Sequence, residues 1–480
     1  MHNYTKKKIC YFLALIALIT LVCCDDELPQ QIYLETNQPN NDSASLNFKA
    51  IYSDCHTMCW DDATLLAEKT AEYCFDSDDS STLRSSKRLR LVDKGFVLRR
   101  DKSSLRSTKA NQLLPDTLAY ICNFVDDMGF AVICADDRVG CPILACVDNG
   151  TLGDTIDNPG VAIFLENAYN FMEESILKFE SEKDSLREIA DEYLANETEN
   201  NAILKKNYTG SFTLVKGEEV KPMLPTTWAQ IGTPYNDLTK ECSSQESGHA
   251  PVGCWATAIG QIMAYYKFPQ SISYCPPNSR ISYGSTLNWN EIIKEKDANS
   301  INIKNTYKLQ ISKILYGVGI NIGMDYECDG SSADEDDAIS YMKRIGYLYD
   351  GSCNYDFEII KNQLDLKKPI LMNGKSERKS ILFWYSYSGG HAWIVDGYSA
   401  TTLQDYTYNV DIDKGTTSQR LLKTSYENPL IHINWGWGGA SNGYYASGCF
   451  NTWKAKDFDL SKSKKEHDFK YKQKIHIIWK

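Results

Sequence analysis

The chain has 480 residues, a formal net charge of −12 and an isoelectric point near 5.2. This length allows about two to four domains, each able to bury its own core. The acidic balance argues against nucleic acid or an anionic membrane surface as a main partner. The sequence contains no zinc-type Cys/His cluster, no phosphate-binding loop and no dinucleotide fingerprint. A globular protein outside the nucleotide-binding and nucleic acid-binding classes is therefore predicted.

The first 24 residues combine a basic segment, a short apolar stretch and a cysteine pair. They predict a secretory signal, because the apolar run is short and an acidic stretch follows at once. The letters LVCC at 21–24 resemble a bacterial lipobox, so Cys24 is the predicted lipid attachment site; an ordinary signal peptide cut nearby is the alternative. The acidic run at 25–27 resembles a lipoprotein surface-export signal of some Gram-negative bacteria. We expect an exported outer-membrane or cell-surface lipoprotein that contacts membrane only through this anchor.

The remainder of the chain divides by composition into three regions. Residues 25–110 are polar, with a basic run at 83–106 that we interpret as solvated; a patch for acidic partners is the alternative. Residues 111–218 begin with β-rich runs, pass a turn signal at Asn149-Gly150 and continue as a long helical pattern, which indicates a small α+β unit. This region ends in an accessible connector. Residues 219–480 are long enough for a two-part enzyme domain.

The sequence has sixteen cysteines, which in an exported chain invite disulfides. Three lie in the signal, seven between Cys55 and Cys146, and six between Cys242 and Cys449. If Cys254 must stay free, the other five C-terminal cysteines cannot all pair among themselves. The pattern of disulfides is left open.

One of these cysteines stands in the stretch VGCWATAIGQIMAYY at 252–266. The stretch predicts a buried helix that ends before Pro269, with Cys254 in its first turn. A thiol there faces the positive end of the helix dipole, which favours the nucleophilic thiolate. Many buried cysteines are inert, however. This segment alone leaves both interpretations open.

A cysteine nucleophile needs a base, and His391 in SYSGGHAWIVDGYS is the best placed histidine. Two glycines precede it, and the residues after it predict a strand entering the core. An imidazole at the mouth of a buried strand, far along the chain from its cysteine, is the layout expected of a cysteine peptidase. His432 is the main competitor and is interpreted as structural. His249 is assigned to the loop before Cys254, and His467 and His476 to a charged tail.

Three further residues have side chains suited to such a site. In papain-type sites an Asn orients the histidine and an adjacent Trp shields their hydrogen bond, and Asn434-Trp435 in NWGWGG supplies both types. A Gly/aromatic turn that merely packs is the alternative. The amide of Gln230 can join the Cys254 N–H in holding an oxyanion.

Together these segments resemble a known family, the streptopain peptidases. WAQ…PYN, HAPVGCWATAIGQIMAYYKFP, YGVGINIGMDY, GGHAWIVDGY and HINWGWGG…NGYY occur in that family's order and character. The resemblance covers roughly residues 115–450, and the part around AYICNFVDDMGFAVICADDR is similar to the family's inhibitory pro-domain. It implies an α+β fold: a papain-like two-lobed cysteine peptidase domain preceded by a small α+β inhibitory pro-domain.

The resemblance also implies roles for residues at matching positions. Cys254 would be the nucleophile and His391 the general base and acid, with Gln230 at the oxyanion and Asn434 beside the histidine. The candidate substrate contacts are Trp435, Gly390, Ser331 and Ser332. One departure is an extra polar stretch at 401–429, where we expect a surface loop near the active-site rim.

The function that the resemblance implies is peptide hydrolysis through a thioester, without a metal or organic cofactor. The partners would be protein or peptide substrates and the chain's own pro-domain as inhibitor. Cleavage in the connector, at about 201–222, would release the enzyme from pro-domain and anchor. A surface binding or adhesion protein on the same fold and a cysteine acyltransferase or amidase are the alternatives. The substrate is not indicated.

Overall fold

The fold is described from a computed structural model. It describes residues 46–75, 90–99, 112–153, 156, 158–196, 204–205, 211–215, 217–277, 279–376, 389–411, 418–451 and 473–480. Within these ranges, no helix is both long and apolar enough to cross a membrane. The predicted signal, the lipid site Cys24 and His467 lie outside the described residues.

The helices and strands are numbered in chain order within the described ranges. The helices are α1 (Phe48–Tyr52), α2 (Trp60–Phe75), α3 (Pro159–Asn196), α4 (Cys254–Tyr266), α5 (Trp289–Ile292), α6 (Asn305–Asn321), α7 (Glu335–Arg344) and α8 (Phe357–Asp365). The first strands are β1 (Val92–Arg99), β2 (Thr117–Phe124), β3 (Phe130–Cys134), β4 (Ile143–Val147), β5 (Leu204–Lys205), β6 (Ser211–Val215), β7 (Glu219–Val220) and β8 (Ser271–Tyr274). The others are β9 (Tyr283–Thr286), β10 (Leu348–Asn354), β11 (Ile370–Ser376), β12 (Gly389–Asp411), β13 (Ser418–Asn434), β14 (Gly443–Ala446) and β15 (Lys474–Trp479).

The N-terminal α+β region contains the predicted elements and also part of the stretch expected to be solvated. The strands β2, β3 and β4 lie at the predicted β-rich runs, and α3 occupies the predicted long helix. The described part of the basic run interpreted as solvated, residues 90–99, contains β1, an edge strand with half of its residues exposed that pairs along β2. Earlier in the polar region, α2 packs on β2, β3 and β4. The apolar residues of α2 recur at helical spacing inside a polar stretch, which average composition conceals. The described residues between 46 and 99 therefore pack against the region after residue 110.

The N-terminal region and the C-terminal region, from residue 219 on, share one sheet and one core. The main path of this sheet, within the described residues, is β1-β2-β3-β4-β14-β13-β12-β11-β15-β10. The junction is the pairing of β4 with β14, where Cys146 lies opposite Tyr444. The core runs from the N-terminal strands to Trp393 and Trp435. The N-terminal region is thus joined to the C-terminal region by strand addition and by burial of apolar side chains.

The second core lies in a mainly helical lobe built around α4. Every side chain of α4 from Trp255 to Ala264 is buried, and the helix packs on α6 on one side and β12 on the other. This explains its apolar composition, since a helix between two layers has no face toward water. The arrangement is the expected two-lobed α+β domain, with α4 between the lobes.

The stretch 401–429 and the connector differ from their predicted forms. The expected surface loop is wrong: β12 and β13 continue as a hairpin that pairs from Ile394↔Asn434 to Asp411↔Ser418. Its far end lies on the order of 50 Å along the strands from Asn434, so it does not line the active-site rim. The connector is not an open loop where it is described, because β5, β6 and β7 all pair with β12. The side chains of the connector suit a strand, but they do not indicate which other strand it pairs with.

Candidate active site

Cys254 is the first residue of α4 and lies at the junction of the two lobes. Gly253 precedes it with φ 92°, and a Cβ at this position would lie 2.6 Å from Met324 Cε. Glycine is therefore required both for the backbone conformation and for the close approach of Met324. Burial raises the pKa of the Cys254 thiol, and this outweighs the opposing hydrogen bonds from the backbone N–H groups of Ala392, Trp255 and Cys254 itself. The thiolate expected from the helix dipole alone is not favoured here, since desolvation has the larger effect.

His391 lies at the start of β12, opposite Gly374 of β11. Its ring is buried, with 3% exposed, and burial lowers its pKa to about 4. The Nε2 atom is 2.9 Å from the carbonyl oxygen of Trp435. Because a carbonyl can only accept, this contact assigns the proton to Nε2 and leaves Nδ1 as the basic nitrogen.

The backbone of Ala392 connects the two candidate catalytic residues. Its N–H contacts the Cys254 sulfur, so the residue directly after His391 lies at the thiol. Within the described residues, no hydrogen bond joins the His391 ring to the thiol itself. Cys254 and His391 are therefore neighbours in a site where both groups are held neutral at pH 7.

Asn434 does not orient His391, so the role expected for it requires correction. Its Nδ2 donates to the Thr226 carbonyl at 3.0 Å, and its Oδ1 accepts from Gly436 N–H at 3.1 Å. The next residue, Trp435, supplies the orienting acceptor through its backbone carbonyl. The sequence therefore identified the turn that orients His391 but assigned the role to the Asn434 side chain instead of the Trp435 carbonyl. A contact made by the backbone leaves no trace in the residue types.

The remaining predicted residues lie on segments that contact the residues before Cys254 or that lead into His391. The carbonyl of Gln230 accepts from Val252 N–H at 2.8 Å, and its side chain is buried. The hydroxyl of Ser331 donates to the Pro251 carbonyl at 2.6 Å, while Ser332 pairs with Asp325 through both backbone bonds. Gly390 is exposed directly before His391.

One disulfide, Cys242–Cys328, was not identified by the sequence, which left the pairing open. It joins the loop before Cys254 to the loop that carries Ser331. Among the other described cysteines, Cys254 is a free thiol, as a nucleophile must be.

Of the other histidines, His432 has the role that was expected, and His476 does not. His432 is structural, as predicted: its Nδ1 is 2.6 Å from Asp396 Oδ1, and Asp396 Oδ2 accepts from the backbone N–H groups of Met223 and Leu224. His476 does not belong to a solvated tail, because it is fully buried in β15 with Nε2 3.1 Å from Asn373 Oδ1. His249 lies in the loop before α4.

The first turn of α3 packs against the back of this site. A Cβ on Gly160 would lie 2.1 Å from Trp435 Cε3, so the helix and the indole are in close contact. The indole is itself fixed by its Nε1–H, which donates to the Tyr445 hydroxyl at 3.0 Å. The N-terminal region thus contacts the residue whose carbonyl orients His391, a relation that the sequence did not reveal.

The fold and this site define the class: a two-lobed α+β domain with a cysteine at the head of a central helix and a histidine on the facing sheet. Residues 228–445 match the family model of the Peptidase C10 family. This match is to the streptopain family, the family that the motifs of the sequence resemble.

Individual relatives are distant. Streptopain of Streptococcus pyogenes serotype M1 is 24% identical over 302 residues, which cover 56% of this chain and 65% of that protein. The thiol protease/hemagglutinin PrtT of Porphyromonas gingivalis is 25% identical over 240 residues, covering 46% of this chain and 23% of PrtT. The chain thus spans less than two thirds of the length of these relatives. Among solved structures, prointerpain A of Prevotella intermedia is 19% identical with a TM-score of 0.44, covering 76% of this chain and 96% of that one.

Proposed function

We propose that the chain is a cysteine endopeptidase made as a zymogen. One observation carries the proposal: the free thiol of Cys254 lies at the head of α4 and accepts a hydrogen bond from Ala392, the neighbour of His391. The tautomer of His391 supports it, because Nδ1 is available to take the thiol proton. The match of residues 228–445 to the Peptidase C10 family model supports protein or peptide as the substrate class.

The proposed reaction has two steps. In the first, His391 Nδ1 takes the proton of Cys254, and the sulfur attacks the substrate carbonyl carbon. The Cys254 N–H and the Gln230 amide stabilise the oxyanion, and His391 gives the proton to the leaving amine as the peptide bond breaks. In the second, water attacks the thioester while His391 takes its proton. The acid product leaves, and the thiol is restored.

The N-terminal region acts as the inhibitor of this site. It is held by the β4–β14 pairing and by the contact of Gly160 with Trp435. In this state Cys254 and His391 are both neutral, because burial disfavours the charged form of each. Cleavage between about 201 and 222 separates the two regions in sequence, so that the inhibitor can dissociate.

The proposed activity is tested with the wild-type full chain, a thiol reductant and casein. Mass spectrometry should show shortening within 201–222, followed by fragments of casein. Iodoacetamide added after processing should stop the digestion of casein, and its label should be found on Cys254 of the processed enzyme. An intact chain that leaves casein intact after trimming by an added protease would favour the binding or adhesion alternative. Transfer of acyl groups to an added amine without hydrolysis would favour the acyltransferase alternative.

The location of the chain follows from Cys24. We propose that the zymogen is a lipoprotein of the outer membrane or cell surface and that maturation frees the enzyme, since the only lipid would remain on the N-terminal fragment. Cell fractionation should find the full chain with membranes and the trimmed enzyme in the medium. A Cys24→Ala variant should lose the membrane-bound form. Mature enzyme found solely in the membrane fraction would contradict this location.

A further inference from the structure

A pair of buried amides joins the helix of Cys254 to the turn of Trp435. Gln261 lies two helical turns after Cys254, on a helix whose other buried side chains are mostly apolar. Its Nε2 donates to Asn434 Oδ1, and Asn434 Nδ2 donates to Gln261 Oε1, both at 3.2 Å. Both side chains are buried, with 0% of Gln261 and 3% of Asn434 exposed. Two reciprocal bonds fix the distance between the segments and the rotation of each amide.

The same Gln261 oxygen also fixes the segment that carries Gln230. It accepts from Trp228 N–H at 3.0 Å and from the Thr226 hydroxyl at 3.2 Å. Asn434 completes the contact by donating to the Thr226 carbonyl. These bonds hold the segment in one position against α4, and Gln230 follows only two residues after Trp228.

On its other side, Asn434 holds the turn that orients His391. Its Oδ1 accepts from Gly436 N–H, so the backbone on both sides of Trp435 is anchored. Gly436 has φ 74° and packs on α4, where a Cβ would lie 3.1 Å from Thr257 Cγ2. The Trp435 carbonyl between these anchors is the one that accepts from His391.

We propose that Gln261, with Asn434 as its partner, is a positioning residue for the peptidase reaction; the inference rests on the proposed function. Gln261 touches no reacting atom. It connects three parts that must be aligned: the thiol of Cys254, the amide of Gln230 and the carbonyl that orients His391. Breaking the pair leaves buried polar groups without partners and lets these parts move separately. A misplacement of about 1 Å can cost on the order of 100-fold in rate.

The test compares full chains carrying Gln261→Met, Gln261→Glu or Asn434→Asp with wild type and with Met263→Leu, a buried control on the same helix. Casein hydrolysis is normalised to the processed fraction. We expect Gln261→Met to lower kcat about 10- to 100-fold and to change KM less than about threefold, because the substrate contacts stay in place. Met263→Leu should be close to wild type. Thermal unfolding identifies any variant that is merely destabilised.

The Gln261→Glu variant supplies a readout that a structural role would not move. Burial raises the pKa of the introduced carboxyl, and only its protonated form can both donate and accept as the amide does. Its activity relative to wild type should therefore be near normal at pH 5 and should fall at least about tenfold by pH 8. The labelling rate of Cys254 with iodoacetamide in this variant, divided by the rate in wild type, should follow the same pH dependence. Peptide mass spectrometry measures this rate, and the measurement requires no peptidase activity.

The outcomes are distinct. Wild-type kcat in Gln261→Met, or a Gln261→Glu to wild-type ratio that does not change with pH, would overturn the positioning role. A loss of equal size in Met263→Leu would also overturn it. An inactive wild type would refute the proposed function instead, and labelling of Cys254 would then decide the positioning role alone. If Gln261→Met does not fold, Gln261→Glu and Asn434→Asp carry the test.

Discussion

Replacing Cys254 by alanine should abolish both casein hydrolysis and cleavage of the connector. The substitution removes the sulfur that would form the thioester, whereas the helix, which is buried and apolar, should be retained. Loss of a nucleophile that works with a general base typically lowers kcat on the order of 10⁴-fold or more. The measurement is the release of casein fragments over hours, together with the mass of the chain itself.

The matched control is Cys275→Ala, which removes an exposed free thiol of the same domain. It should process and digest casein like wild type, because the Cys275 thiol is exposed and donates to the carbonyl of the nearby Ser279. Continued trimming of Cys254→Ala in purified material would show that a different protease cuts the connector. Continued casein digestion by that variant would rule out Cys254 as the nucleophile.

Processing should raise the reactivity of Cys254 at pH 7 by about 100-fold or more. In the full chain the thiol pKa is raised by burial and the pKa of His391 is lowered to about 4. From about pH 4 up to the raised thiol pKa, both groups are then neutral. A thiol with the ordinary pKa of about 8.5 is only a few per cent thiolate at pH 7, and a raised pKa lowers that fraction further. An ion pair formed after the N-terminal region leaves would make thiolate the main form.

The pH dependence of Cys254 labelling tests this prediction. Labelling of Cys254 by iodoacetamide in the unprocessed chain should stay slow from pH 5 to 8 and rise only above pH 9, as the thiol loses its proton unaided. In the processed enzyme it should already be fast near pH 6. Cys275 in the same samples serves as the internal reference. Equal labelling of Cys254 before and after processing would show that the N-terminal region does not control the charge state of the site.

The local elements of the site could be predicted from the sequence because short-range patterns specify them. The apolar spacing from 252 to 266 defines the helix of Cys254, and the glycines before His391 mark the start of its strand. The structural assignment of His432 also followed from its place in a strand. In contrast, α2 was hidden in a polar stretch, and His476 was assigned to a tail although β15 is buried. Both elements depend on partners that are distant in sequence.

By itself the sequence determined Cys254, His391 and Gln230 as candidates through residue type and position, and its resemblance to the streptopain family implied the class of the fold. Only the tertiary structure decided that a carbonyl, and not the Asn434 side chain, orients His391. It also decided that Gln261 joins three parts of the site and that the connector and the 401–429 stretch pair as strands. Backbone contacts and strand pairing between distant segments depend on how the chain packs, and no local pattern of side chains encodes them.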